Sequence, residues 1–266
     1  MSQSNNKPRL AGTVLLIRDA DSFEVLMVKR HYQIDFAAGA LVFPGGKAHE
    51  EDMDVRWSGL TDGDFDGEDM AVRVASVREA FEESGLVLAR HKEARGAGGP
   101  LVGADIAERL APMRAAVDKR EESFLELIET HGLVLALDSL IHFGHWVTPD
   151  MMPKRFDTHF FLAPAPDAQI ASHDGRETTD AVWLNPNTAL QMEADEEATI
   201  IFPTRMNLIK LGRAASCVEA KSMFGGQPVV KVLPMVGQTD DGKPCLHIPA
   251  EAGYGQTTEL LEKAMR

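Results

Sequence analysis

The sequence is organised around one segment, Arg78-Glu79-Ala80-Phe81-Glu82-Glu83-Ser84-Gly85-Leu86. Glu79 precedes Glu82 by three residues and Glu83 by four, a spacing that places all three carboxylates on one face of a helix. Apolar residues recur at intervals of four, three and four residues, at Met70, Val74, Val77 and Phe81. The two patterns predict a helix over residues 68–84, with Gly85 as the left-handed residue at its C-terminal end.

Three carboxylates on one helical face repel one another. A pair of like charges 4 Å apart costs about 4 kcal/mol where it is partly buried, and a divalent cation would offset that cost. Carboxylate oxygens select hard ions, so the pattern predicts Mg²⁺ or Mn²⁺. Arg78 lies four residues before Glu82 and is predicted to hold the carboxylates in position through an ion pair. The alternative that this helix alone leaves open is a solvated acidic face.

Strands are predicted on the N-terminal side of this helix. Residues 11–18 and 23–30 are β-branched and apolar runs separated by turn-forming residues, which is typical of a hairpin. Residues 41–43 form a short strand that ends at Pro44-Gly45-Gly46, where the backbone can approach a ligand closely.

An acidic segment separates these glycines from the helix. Residues 49–69 contain nine acidic residues and one basic residue, which is typical of a solvated loop. Asp62, Asp64 and Asp66 resemble the first half of a calcium-binding loop. The twelfth position of such a loop carries a bidentate glutamate and is Arg73 here, so we do not expect calcium binding.

The overall charge excludes some classes of partner. The chain has 27 Lys+Arg and 41 Asp+Glu, a net charge of −14, which argues against binding to nucleic acid or to an anionic membrane. No stretch reaches the roughly 20 apolar residues that a membrane span needs. Two cysteines, Cys217 and Cys245, provide no disulfide framework. We therefore expect a cytoplasmic protein.

The rest of the chain mixes helices and strands without a regular βαβ repeat, which predicts an α+β fold. Helices are predicted at residues 104–117, 120–131 and 203–215, strands at residues 158–163 and 181–184, and a hairpin from residues 229–233 and 244–248 around Asp240-Asp241-Gly242. His142 and His145 suggest a zinc site by their spacing, but no cysteine or acidic third ligand accompanies them in sequence. Packed, backbone-bonded histidines are the favoured interpretation.

Gly46 followed by the Arg-Glu-x-x-Glu-Glu-x-Gly-Leu helix resembles the Nudix box, the signature of enzymes that hydrolyse a nucleoside diphosphate linked to another moiety. Two departures occur: the acidic segment lengthens the box, and Met70 stands where the family has an earlier glutamate. Residues 42–46 (VFPGG) and 146–161 (WVTPDMMPKRFDTHFF) resemble the branch of peroxisomal coenzyme A diphosphatases, which carries such an insertion inside the box.

The resemblance implies a fold and a domain organisation. We expect an α/β/α sandwich of the Nudix type, an α+β fold with a mixed sheet. A disordered N-terminus is expected at residues 1–9 and a single Nudix hydrolase domain at residues 10–266. Within that domain we expect an acidic insertion at residues 47–69, a helical insertion at about 96–131 and a C-terminal extension at about 217–266.

The resemblance also implies a metal site. Glu79, Glu82 and Glu83 are the implied ligands of Mg²⁺ or Mn²⁺, with the backbone carbonyl of Gly46 as a further ligand. Arg78 is counted with the catalytic group because it orients these carboxylates.

The implied general base is Glu177, six residues before Trp183, and Glu83 is the competing candidate. Positive charge for the outer phosphates could come from Lys29, Arg30, Lys154 and Arg155. The alternative for Arg155 is a structural salt bridge with Asp157 or Glu177, and the alternative for the first two is simple solvation.

The implied activity is metal-dependent hydrolysis of a diphosphate linkage by a Nudix-type pyrophosphohydrolase. The favoured substrate is coenzyme A or acyl-coenzyme A, and the alternative is ADP-ribose, NADH or a nucleotide sugar. A non-catalytic nucleotide sensor is less favoured, because such proteins can lose the carboxylates that this chain keeps. The partner is then a small nucleoside diphosphate derivative. The oligomeric state stays open, with a homodimer as one option.

Overall fold

A mixed sheet of eight strands forms the centre of the molecule. The computed structural model of the chain describes residues 7–31 and 39–264. The strands are β1 (Arg9–Asp19), β2 (Phe23–Arg30), β3 (Leu41–Val42), β4 (Gly45–Lys47), β5 (Ala89–His91), β6 (Leu133–Leu135), β7 (Ile141–Val147), β8 (Phe156–Pro164), β9 (Thr178–Leu184), β10 (Lys231–Val232), β11 (Met235–Gln238), β12 (Pro244–His247) and β13 (Thr258–Leu260). The main sheet has the order β10-β7-β8-β1-β2-β3, with β4 paired to β1 and β9 paired to β2. Strand β1 is parallel to β8 and antiparallel to β2.

Helices cover both faces of this sheet. They are α1 (Gly67–Ser84), α2 (Ala104–Leu110), α3 (Arg114–Asp118), α4 (Phe124–Thr130), α5 (Pro186–Ala194), α6 (Phe202–Leu211), α7 (Cys217–Phe224) and α8 (Leu261–Ala264). One buried apolar cluster joins the sheet to α1 and to α2, α3 and α4. A second cluster joins the sheet to α5, α6 and α7. The predicted α+β fold with a mixed sheet between helical layers is confirmed.

Helix α1 lies directly against β1. Its bounds agree with the predicted helix, and Gly85 has the predicted left-handed conformation, with φ of 75°. A Cβ atom on Gly12 would lie 2.0 Å from the carbonyl oxygen of Val72, so the close contact between strand and helix requires glycine there. Every residue from position 70 to position 84 is buried. The alternative of a solvated acidic helix face is therefore wrong.

The acidic segment is only in part the solvated loop that its composition predicted, since part of it packs into the fold. Its exposed acids are Glu50, Asp64, Asp66, Glu68 and Asp69. It forms two short 3₁₀ helices, Glu51–Met53 and Val55–Gly59, and buries the ring of Trp57 about 6.0 Å from the ring of Phe124. Two of its acids, Asp52 and Asp62, are buried because arginines from elsewhere in the fold bind them. Because acids dominate the composition of the segment, the sequence did not indicate which of them would be paired.

The helices between residues 104 and 131 differ in detail from the prediction. The single helix predicted over residues 104–117 is interrupted by a 3₁₀ turn, Ala111–Met113, which contains Pro112. Proline lacks the backbone N–H that an α-helix needs and clashes with the preceding turn, so α2 and α3 form separately. Helix α4 begins later than predicted, after Ser123, whose hydroxyl accepts a hydrogen bond from the backbone N–H of Glu126 at 3.0 Å.

The C-terminal hairpin was also predicted with the wrong first strand. Residues 231–232 form β10, which joins the main sheet parallel to β7. The hairpin instead pairs β11 with β12, because Pro234 separates β10 from the strand that follows.

The ends of the chain bear on two further predictions. The predicted disordered N-terminus falls largely on residues 1–6, which lie outside the described residues, and β1 begins at Arg9. The proposed division into insertions and an extension stays a prediction. In the described ranges, the helices are all too short or too polar to cross a membrane.

Candidate active site

The last turns of α1 hold three buried carboxylates over the glycine strand β4. Glu79, Glu82 and Glu83 are 8%, 7% and 3% exposed. The backbone N–H of Gly45 donates a hydrogen bond of 2.9 Å to Oε2 of Glu83. A Cβ atom on Gly46 would lie 2.4 Å from Oε1 of Glu79, so any side chain at this position would displace that carboxylate. The two glycines thus allow the strand to pack on the glutamates.

Arg78 occupies the centre of the acidic cluster. Its Nε and Nη2 atoms donate to the two carboxylate oxygens of Asp52 at 3.0 and 2.9 Å, a bidentate pair that is buried on both sides. Its Nη1 atom donates to Glu79 at 3.0 Å and to Glu82 at 2.9 Å. The expected ion pair with Glu82 is therefore present. The carboxylate of Asp52 was not anticipated, since 26 residues of the acidic segment and helix separate it from Arg78.

The pKa values of the glutamates show that their charge is incompletely balanced. Burial, reinforced by the nearby charge of Glu79, raises the pKa of Glu82 from 4.5 to about 8, although Arg78 opposes the rise. Burial likewise raises the pKa of Glu79, and it raises the pKa of Glu83 well above its ordinary range. One buried guanidinium therefore binds three carboxylates, those of Asp52, Glu79 and Glu82, while Glu83 accepts from the backbone of Gly45. The cluster has an excess of negative charge that a cation can neutralise.

The donor set of this cluster suits a hard divalent cation, because all its side-chain donors are carboxylate oxygens. The three carboxylates are held in different directions, however: Arg78 binds Glu79 and Glu82, while Gly45 binds Glu83. Within residues 7–31 and 39–264, three potential ligand atoms lie within 4.8 Å of one another at His145, Asp157 and His159, and not at the glutamates of α1. A cation shared by the glutamates therefore requires their side chains to rotate away from Arg78.

A backbone hydrogen bond brings Glu177 next to the residue that follows Arg30, near these glutamates. The backbone N–H of His31 donates to the carbonyl of Glu177 at 2.8 Å, which ties the end of β2 to the turn before β9. Burial is the main cause of the raised pKa of Glu83, and the charge of Glu177 adds to it while the charge of Arg30 opposes it. The Nε atom of Arg30 is buried and has no hydrogen-bond acceptor among the described residues.

The other predicted cations are placed differently. Arg155 pairs with Asp150 at 2.5 Å and donates from Nε to the carbonyl of Thr148 at 3.0 Å, so it does form an ion pair, with a partner that the sequence did not indicate. Lys154 is exposed on the same segment between β7 and β8. Lys29 is half-buried at the end of β2.

A cavity of about 170 Å³ opens beside Glu82, and sequence reasoning missed its lining. Its polar side chains come from α3 and from the turn before β9: Arg114, Asp118, His173, Asp174 and Arg176. Arg114 donates from Nη2 to the carbonyl of Glu82 at 3.0 Å, and its Nε atom is buried without an acceptor in the described part of the chain. No local motif signals Arg114, because 32 residues separate it from Glu82.

Comparisons with known proteins identify the family of the chain. Residues 60–211 match the family model described as the NUDT19 Nudix domain. The chain is 27% identical to acyl-coenzyme A diphosphatase NUDT19 of Homo sapiens, over 92% of this chain and 76% of that protein. The protein of the same name from Xenopus laevis is 23% identical, over 91% of this chain and 74% of that protein. A crystal structure of a NUDIX hydrolase from Alicyclobacillus acidocaldarius superposes with a TM-score of 0.68 at 27% identity, covering 85% of this chain and all of that one.

Proposed function

This chain belongs to the Nudix hydrolase family, with a domain of the NUDT19 type, and we propose that it hydrolyses the diphosphate linkage of coenzyme A or acyl-coenzyme A. The family match confirms the resemblance of the box. The relatives named acyl-coenzyme A diphosphatase support the substrate class. The reaction adds water across one P–O–P linkage and gives phosphopantetheine, or its acyl derivative, and adenosine 3′,5′-bisphosphate.

The buried, incompletely balanced carboxylates on α1 carry this proposal. Glu79, Glu82 and Glu83, with the carbonyl of Gly46, would hold Mg²⁺ or Mn²⁺. Such a cation, when bound, neutralises phosphate charge and lowers the pKa of an attacking water. Arg78 holds Glu79 and Glu82 by hydrogen bonds in the cation-free arrangement and would release them when the cation binds.

Glu177 is the proposed general base. Its side chain is exposed, so water can reach it, and its charge acts on both Glu79 and Glu83. Glu83 is the weaker candidate because burial raises the pKa of its carboxyl group well above the ordinary range, and Gly45 already donates to one of its oxygens. A base must be unprotonated and close to the water that it activates.

Arg30 is the proposed contact for a substrate phosphate. Its Nε atom is buried and has no acceptor among residues 7–31 and 39–264, a state that costs about 1–3 kcal/mol and that a phosphate oxygen would relieve. Its charge acts on Glu83, which places it beside the carboxylates. Lys154 and Arg155, on the segment between β7 and β8, stay candidates for contacts to the outer phosphates.

A substrate panel tests the proposal: coenzyme A, acyl-coenzyme A, dephospho-coenzyme A, NADH and ADP-ribose, each with Mg²⁺ and with Mn²⁺. We expect the highest kcat/KM for coenzyme A or its acyl derivative, and loss of turnover in Glu82→Gln. Glu50→Gln, an exposed acid of the acidic segment, is the matched control and should keep full activity. A higher kcat/KM for ADP-ribose or NADH would show that the substrate is not coenzyme A or its acyl derivative. No turnover with any diphosphate would refute the proposed hydrolysis.

Cellular location and assembly remain expectations. Cys217 and Cys245 are both free thiols, in keeping with the predicted cytoplasmic location. Homodimer formation is one option for the chain, and analytical ultracentrifugation would decide it.

A further inference from the structure

A second group of potential metal ligands lies on β7 and β8 of the main sheet. His145 on β7 is directly paired with His159 on β8, and Asp157 lies two residues before His159 on the same face. One ligand atom from each of the three residues lies within 4.8 Å of the other two. All three side chains are partly buried. The set therefore has the composition and the spacing of a three-ligand metal site.

The sequence prediction for this region was right about packing and wrong about the partners. The rings of His142 and His145 stack on the ring of His159. Backbone bonding was expected, with no cysteine or acidic third ligand beside them in sequence. The ring of His145 instead contacts the carboxylate of Asp157, and Nε2 of His142 lies 3.2 Å from Nδ1 of His159. A register shift between His142 and Gly144 lets both histidines face the same side of the sheet. The acidic ligand comes from the neighbouring strand, where sequence spacing cannot reveal it.

We propose that His145, Asp157 and His159 form a binding site for Zn²⁺. Imidazole nitrogen with one carboxylate selects borderline transition-metal ions over Mg²⁺, and Zn²⁺ accepts three such ligands with water in the fourth position. Ligand atoms that share a tetrahedral Zn²⁺ lie about 3.4 Å apart. Nε2 of His159 lies 3.8 Å from Oδ1 of Asp157, so a shift of a few tenths of an ångström closes that edge.

The surroundings support a built site. The His159 tautomer that donates through Nδ1 to His142 leaves its Nε2 lone pair on the side of Asp157, which makes His142 a positioning residue. Lys231 lies 3.2 Å from the other oxygen of Asp157, and its side chain is 56% exposed, so it can turn into solvent when an ion binds Oδ1. The ion would tie β7 to β8 on either side of the segment that carries Lys154 and Arg155.

The test is Zn²⁺ binding by the full chain, measured by competition with a chromophoric chelator in excess Mg²⁺. We expect one Zn²⁺ per chain in the wild type and in Glu82→Gln, at least 100-fold weaker binding in His159→Gln and in Asp157→Asn, and 10- to 100-fold weaker binding in His142→Gln. His91→Gln replaces an exposed histidine of β5 and should bind like the wild type. Zn²⁺ at 100 times its Kd should raise the Tm by about 5–10 °C.

Folding and ion placement are checked separately. Circular dichroism without metal shows whether each variant folds, and Asp157→Asn keeps the size of the side chain if His159→Gln does not fold. Co²⁺ bound at the proposed site should give visible absorption without thiolate charge transfer. Thiolate charge transfer would place the ion at Cys245, whose Sγ lies 3.4 Å from Nε2 of His247, and would overturn the proposal. Binding unchanged in Asp157→Asn, or no saturable binding at micromolar Zn²⁺, would also overturn it. Because loss of diphosphatase activity is not a readout, the outcome is independent of the proposed function.

Discussion

Two groups of buried acids in this molecule have opposite electrostatic character. Asp62 accepts hydrogen bonds from Arg90 at 2.8 Å, from Arg95 at 3.2 Å and from the backbone N–H of Gly96 at 2.9 Å. Asp138 shares Arg90 with it at 2.5 Å. Two arginines therefore meet two aspartates. Around Arg78, by contrast, one guanidinium binds three carboxylates, while a fourth relies on a backbone amide.

The pKa values express the same contrast. Burial opposes ionisation of Asp62, yet its hydrogen bonds to Gly96, Arg90 and Arg95 hold the pKa of Asp62 below 3.8. Burial and the charge of Glu79 raise the pKa of Glu82 to about 8. A fully paired acid stabilises the fold and has no capacity left for a ligand. An unpaired excess of acids destabilises the cation-free fold and leaves oxygen atoms available for a cation. We infer that the first group is structural and the second is functional.

The largest expected effect is on turnover. Glu82→Gln removes one charge from the proposed cation site, and loss of a preorganised electrostatic group of this kind costs about 100- to 1000-fold in kcat. Hydrolysis of coenzyme A in Mg²⁺ measures the loss, with Glu50→Gln as control. If Glu82→Gln turned over at the wild-type rate, the assignment of the glutamates would be wrong.

Neutralising Asp62, in the fully paired group of acids, should lower the stability of the fold and not the turnover. Asp62→Asn leaves Arg90 and Arg95 without their shared carboxylate, and breaking a buried pair in this way costs about 3 kcal/mol of unfolding free energy. Urea unfolding measures the loss, and Asp64→Asn, an exposed acid of the same segment, should change it little. The kcat of folded Asp62→Asn should stay within about twofold of the wild type. A large fall in kcat without a fall in stability would contradict the assignment of Asp62 to a structural group of acids.

The two groups should also give opposite pH dependences. The folded pKa of Asp62 is lowered, so its stabilisation is complete above the unfolded value and is lost as pH falls below about 3.8. The folded pKa of Glu82 is raised, so without a cation the stability contributed by its protonated form is lost as pH rises from 4.5 to about 8. Unfolding of the wild type in a chelator should therefore show falling stability over that second interval. Glu82→Gln should flatten the slope, and a slope equal to that of the wild type would contradict the pKa assignment.

A smaller effect is expected at Arg30, beside the acids that we infer to be functional. Arg30→Ala removes the guanidinium proposed to contact a phosphate and should raise the KM for coenzyme A about tenfold, the equivalent of roughly 1.4 kcal/mol. Arg155→Ala is the matched comparison, since that guanidinium is already bound to Asp150 and Thr148. We expect a smaller rise in KM there. Equal effects at both positions would mean that Arg155 reaches the substrate as well.

Local patterns in the sequence predicted the parts of the site that depend on local geometry. Spacing placed Glu79, Glu82 and Glu83 on one helical face, and Gly85 marked the end of that helix, because both signals operate within one or two helical turns. The need for glycine at position 46 was also visible from the resemblance. Its physical reason, the approach of the Glu79 carboxylate, required the structure.

Pairings over long sequence distances could not be predicted in the same way. The acidic segment was expected to be solvated because its charges dominate its composition, whereas Asp52 and Asp62 are bound by arginines 26 and 28 residues further along the chain. Asp157 and His159 meet His145 only through the pairing of β7 with β8. Composition reports the charges of a segment but not the partners that the fold brings to them.

Direct Mn²⁺ binding, counted by electron paramagnetic resonance, tests most directly the claim that the excess of acids around Arg78 is a cation site. The wild type and Asp62→Asn should bind Mn²⁺ with equal affinity, because the paired acid takes no part in binding. Glu82→Gln should bind it at least tenfold more weakly. Equal Mn²⁺ binding by Glu82→Gln and the wild type, or weakened binding in folded Asp62→Asn, would contradict the division into a structural and a functional group of acids.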